Sequence, residues 1–141
     1  VSVCTVPLMT ERPSKHWRDG VAEEARKLAA GTLTVEDAFM ADLYPVSLLD
    51  ATDETLDAFE SALGTLRTPS DDEVFAAVQR VVLDLNSIND QHNGAGYETG
   101  EREELCQYID QALTNCGIDV PALTARYGLG RYEITDEWRD W

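Results

Sequence analysis

PSDDEVFAAVQRVVLDLNSIND, residues 69–90, decides the fold. After Pro69, Ser70 and Glu73 stand in the S-x-x-E spacing of a capping box, in which each side chain takes up a backbone amide that the first helical turn leaves free. Asp71 and Asp72 follow in the first turn, where a helix end favours negative charge. Beyond the cap, Val74, Val78, Val81, Val82, Leu85 and Ile88 recur at three and four residues and cover one face. So many β-branched residues lower intrinsic helicity, so burial of that face has to compensate. The spacing predicts a helix over 71–90 at the centre of a core.

Working outward, the same period recurs and strand alternation does not. Trp17, Val21, Ala25 and Leu28 give a helix over 14–30, stopped by Gly31. A short helix is expected from Thr34, with Asp37 completing an approximate capping box, to a stop before Pro45. Leu56, Phe59, Leu63 and Leu66 line one face of 53–66. Leu105, Ile109, Ala112, Leu113 and Cys116 line one face of 101–116, with Gly117 as its cap. A shorter helix over 121–127 ends near Gly128, and a last turn begins at Thr135. No repeat or linker divides the chain. The expectation is an all-α, single-domain bundle of about five to seven amphipathic helices over 14–141, preceded by a disordered or extended segment over 1–13, where Pro7 and Pro13 bracket irregular sequence.

Size and composition agree. A chain of 141 residues suits one domain and buries roughly 68–70% of its unfolded surface, enough to need no staples. Apolar residues make up 43% of it, which argues against wholesale disorder. No apolar run approaches the ~20 residues of a membrane span. The opening VSVCTVPLM lacks a basic start and a long enough apolar stretch for a secretion signal, and Met9 is a candidate start. Three cysteines fit a reducing compartment, with Cys106 and Cys116 as inert thiols. Ten residues along one helix separate those two by about 15 Å, too far for a bridge. The expected location is the cytoplasm.

Charge sets the functional expectation. Twenty-seven acids against eleven Lys and Arg leave a formal charge of −16. The excess is lopsided: residues 1–30 are nearly neutral, while 31–141 carry 23 acids and 6 bases. Such a field repels nucleic acid and anionic membrane and attracts a basic protein partner. On helix 53–66, Asp53, Asp57 and Glu60 recur at four and three, opposite the apolar stripe. Like charges so spaced destabilise a helix by roughly 0.2–0.5 kcal/mol per pair. They read either as a solvated face or as a docking surface for a basic partner, better at steering and selecting than at adding affinity. Trp138 and Trp141, flanking Arg139, are further partner-binding candidates, since tryptophan and arginine are frequent interface anchors. Their ordinary role would be to fold the tail back beside Trp17 or Tyr132.

The polar connection NDQHNGAGYETGE, residues 89–101, has the outline of a calcium-binding hand. Counted from Asn89, Gly94 takes the sixth place, but Gly100 stands where a bidentate glutamate is required. Counting from Asp90 recovers Glu101 and loses the glycine. No metal and no cofactor are expected. Asn86, Asn89, His92, Glu98 and Glu101 remain as a possible polar pocket, against the plainer reading that they satisfy stray backbone groups. Catalytic signatures are missing: His16 and His92 fit no zinc motif, and no nucleophile elbow or phosphate loop occurs. Gly128 and Gly130 follow a helix, not a strand, so they are no dinucleotide fingerprint. Glu101 and Glu104 could pair for acid–base work, but such spacing arises by chance among so many acids.

The expected function is therefore a non-catalytic acidic domain that binds a basic protein. In general character the chain is similar to bacterial immunity proteins and protein inhibitors, a likeness of size and charge that carries over no residue. The alternative is a small-ligand receptor or enzyme with a polar site in the 86–104 helix–loop–helix region.

Overall fold

The capping box forms as its sequence requires. In a computed structural model, which describes residues 11–141, Ser70 Oγ accepts from the Glu73 amide at 3.2 Å, and Glu73 Oε1 accepts from the Ser70 amide at 3.1 Å. Helices α1 (Pro13–Ala30), α2 (Met40–Leu43), α3 (Val46–Thr65), α4 (Asp71–Gln91), α5 (Thr99–Asn115) and α6 (Val120–Arg126) follow one another through short connections. Single 3-10 turns form at Val35–Asp37 and Arg131–Glu133. Among the described residues no β-strand forms, and the chain is a single all-α domain.

α4 is the centre of the core, as its valine face predicts: Val74, Val78, Val81, Val82, Leu85 and Ile88 are all buried. Its largest interface is with α3, which contributes Leu56, Phe59 and Leu63. α3 begins two turns before the expected residue 53. Pro45 occupies its N-cap position, and Leu48, Leu49 and Thr52 are buried on the added turns. α5, which meets α1 and α6, adds Leu105, Ile109, Ala112 and Leu113 to the same core, and Gly117 takes the left-handed conformation (φ +84°) that ends it.

The expected segment over 1–13 falls, for residues 1–10, outside the described chain. Pro13 is buried as the first residue of α1. Of the α1 stripe, Trp17 is buried, Val21 and Leu28 are half-buried and Ala25 is exposed. Trp17 stacks on Tyr44 (centroids 5.4 Å apart, planes within 2°) and lies 6.1 Å from Tyr97, which meets Trp141 edge-on at 5.9 Å. This aromatic file ties α1, the loop before α5 and the C-terminal tail together.

The helix expected from Thr34 to Tyr44 does not form as one piece. Thr34 Oγ1 donates to Asp37 Oδ2 at 3.0 Å instead of capping an amide. The Phe39 and Met40 amides, which a continuous helix would turn back on residues 35 and 36, are taken by Glu24 of α1 (3.1 Å to Phe39, 2.9 Å to Met40). Glu24 is buried, and Met40 packs its methyl onto Gly20, where any Cβ would collide with it. A long-range carboxylate thus splits the segment into a 3-10 turn and one turn of α-helix.

Burial pushes the Tyr97 phenol up to about 12, partly offset by its 2.6 Å hydrogen bond with Thr52 Oγ1. The folded chain holds this proton more tightly than the unfolded chain. The associated stability is therefore intact below pH 10 and drains away as pH rises through about 12. In denaturant titrations, the stability difference between the native chain and Tyr97→Phe should shrink over that interval; a constant difference would show that the phenol is not responsible.

Candidate functional site

The acidic face of α3 is not bare. Arg12, at the N-cap of α1, forks onto Glu60 (Nε to Oε2 2.7 Å, Nη2 to Oε1 3.1 Å) and also pairs with Asp57. Arg18, two turns along α1, donates to Asp53 (2.9 Å) and Asp50 (2.8 Å), and Ser14 donates to Asp53. From α5, the Tyr108 phenol donates to Glu60; burial and that bond push its pKa upward. The like-charge row of Asp53, Asp57 and Glu60 is thus the seat of α1. Asp57 remains well exposed at 65%, against 28% for Asp53 and 25% for Glu60. As a partner-binding surface the row is largely occupied by the chain itself.

The terminal tryptophans are placed inward. Trp141 is buried, so it meets no partner while the tail is docked. Trp138 is half-buried against Phe75 at 6.4 Å. The tail folds back as expected, but onto Tyr97 and Phe75 instead of Trp17 or Tyr132. Asn86 clamps it: Nδ2 donates to the Trp138 carbonyl (2.7 Å) and Oδ1 accepts from the Asp140 amide (3.1 Å). The Arg139 Nε and Trp141 Nε1 donors are buried without a partner, so aromatic burial and the clamp must outweigh that loss.

The five polar-pocket candidates take up separate tasks. Asn86 holds the tail, and Asn89 Oδ1 accepts from the Tyr97 amide at 3.0 Å. Glu101 is buried beside the Tyr44 phenol, whose pKa rises through burial, the negative charge of Glu101 and a hydrogen bond to it. Glu98 is exposed at the N-cap of α5 and makes no capping bond. His92 lies between helices: Nδ1 is 2.8 Å from the Ile88 carbonyl and Nε2 3.0 Å from Ser47 Oγ. A carbonyl only accepts, so Nδ1 carries the proton, and in the neutral ring Nε2 accepts from the Ser47 hydroxyl. A hydroxyl beside an oriented imidazole is a nucleophile–base geometry, and it was not legible in the sequence because 45 residues separate the pair.

A groove of about 630 Å³ runs between α5 and the 3-10 turn Arg131–Glu133, and Cys106, Asp110, Arg131 and Tyr132 line it. Asp110 pairs with Arg131 at 3.1 Å, and burial pushes the Cys106 thiol up, so it is a poor nucleophile. Neither Ser47 nor His92 reaches this groove. Cys106 is free, whereas Cys116 is disulfide-bonded, which corrects the expectation of a second inert thiol. It stands half-buried at the C-cap of α5.

Sequence reasoning did not assign Glu24, Ser47 or Phe39 a role. For the last, the sequence carried only a partial sign, the acids Glu36, Asp37 and Asp42 with no Lys or Arg over residues 31–46; the structure adds that this stretch exposes Val35, Phe39 and Val46. Among the described residues no helix is long and apolar enough to cross a membrane. The site-level class is thus an all-α domain with an inward-paired acidic face. Comparison with family models, curated proteins and solved structures finds no match.

Arg12→Ala leaves the mostly shielded Glu60 with only the Tyr108 hydroxyl as partner, and should lower unfolding free energy by about 1–3 kcal/mol. Arg80→Ala, which removes an 80% exposed partner of Asp84, should cost less than about 0.5 kcal/mol. Equal losses in chemical denaturation would reduce the α1–α3 network to an ordinary surface pair.

Proposed function

We propose that this protein is a non-catalytic, acidic binding domain for a basic protein, of immunity-protein or inhibitor type. One observation carries the reading. Arg12, Lys15, Arg18, Arg26, Arg80, Arg126, Arg131 and Arg139 are each paired with an acid of the same chain. Glu36, Asp42, Glu54, Asp72, Asp90 and Glu103 are exposed and make no ion pair among the described residues. Most of the positive charge is matched by acids of the same chain, and these exposed unpaired carboxylates outnumber the exposed bases without an ion pair among the described residues, Lys27 and Arg67. A field of one sign accelerates encounter with a basic protein and disfavours nucleic acid and anionic lipid. The disulfide at Cys116 supports an oxidising compartment over the cytoplasm expected from the sequence.

Affinity capture on the immobilised domain at low salt, followed by stepwise salt elution, tests the reading. The expected result is a basic protein whose association rate falls steeply with ionic strength. Retention of a neutral metabolite without salt dependence, or turnover of any substrate, would overturn it. The Ser47–His92 contact favours the second reading, an enzyme where the start of α3 meets the end of α4. Labelling of Ser47 by a fluorophosphonate, abolished in His92→Ala, would bring that reading forward.

A further inference from the structure

We infer that residues 31–46, with Phe39 as anchor, form the surface on which the basic partner docks; this rests on the binding reading above. Three of the six exposed large apolar side chains among the described residues fall in this stretch: Val35 (82% exposed), Phe39 (60%) and Val46 (68%). Two of the other three have work within the chain. Tyr127 donates to Asp71 and meets Phe75 edge-on, and Tyr132 lies under the Arg131 guanidinium. No ring contact among the described residues involves Phe39.

Charge selects the occupant. Glu36, Asp37 and Asp42 are the only charged residues of the stretch, and all are exposed. Exposed apolar side chains among carboxylates fit a protein segment that surrounds an apolar recess with Lys and Arg. Burial of the aromatic ring supplies residence time, and the acids supply steering and rejection of acidic surfaces. A second copy of this chain would bring like charges together, which disfavours it.

The anchor is also held in place. Glu24, buried on α1, grips the Phe39 and Met40 amides, and Met40 is seated on Gly20. A helix carboxylate thus fixes the backbone beneath an exposed ring, which reduces the ordering loss on binding. Of the two residues it holds, Phe39 is exposed while Met40 packs partly against the core.

The test titrates the ¹⁵N-labelled full chain with an amphipathic lysine–leucine helical peptide at low and high salt. Amide shifts should concentrate in residues 33–46. Phe39→Ala should weaken binding at least tenfold at unchanged melting temperature. Glu24→Ala should speed amide exchange at residues 39 and 40 and weaken binding with the ring still present. Joint neutralisation by Glu36→Gln, Asp37→Asn and Asp42→Asn should flatten the salt dependence. Peptide binding elsewhere, or unaltered binding by Phe39→Ala, overturns this inference and leaves the binding reading standing. No binding at low salt removes both. Self-association that Phe39→Ala abolishes assigns the surface to a second copy and overturns the inference.

Discussion

Placement of α1 on α3 by Arg12 and Arg18 is the constraint on which the rest of the molecule depends. A chain with eleven basic side chains has few cations to spend, and two of them meet Asp50, Asp53, Asp57 and Glu60. Without them, the row on α3 would set like charges against one another along a helix, with only the Ser14 and Tyr108 hydroxyls to offset them. With them, α1 is held where Trp17 stacks into the aromatic file and where Glu24 reaches the segment that follows. The ion pairs, the ring stack and the grip on Phe39 are successive consequences of one docking event.

Much of the fold was legible because it is written locally. The Ser70–Glu73 box and the valine face of α4 lie within one helix, as do the stripe of α5 and its Gly117 stop. What could not be read depends on partners far along the chain. The segment after Gly31 has helical sequence, yet its amides are claimed by a residue 15 positions earlier. The first turns of α3 carry Ser47, Asp50 and Thr52, which read as loop until Leu48 and Leu49 are seen to be buried.

The candidate site divides in the same way. The acidic row was visible; that its counter-charges sit some 45 residues away was not. The near-neutral first thirty residues were the available sign, since five of the eleven bases lie there beside an acidic remainder, which suggests an internal pairing. The tryptophans at the end of the chain look like anchors from composition, but aromatic residues are as valuable inside a small core as at an interface. Phe39 was passed over because a single phenylalanine in a presumed helix is expected to be buried.

Asn86 and Asn89 lie one turn apart on α4, one bound to the tail and the other to the loop before α5. A face built of valines is forgiving: slid by a turn, it would still offer one branched aliphatic residue where another had been. Two amides that each recognise a particular backbone group are not interchangeable in this way. Their presence gives α4 a polar index mark, so that among the near-equivalent ways of sliding a greasy helix through its neighbours only one alignment satisfies both non-helical segments at once.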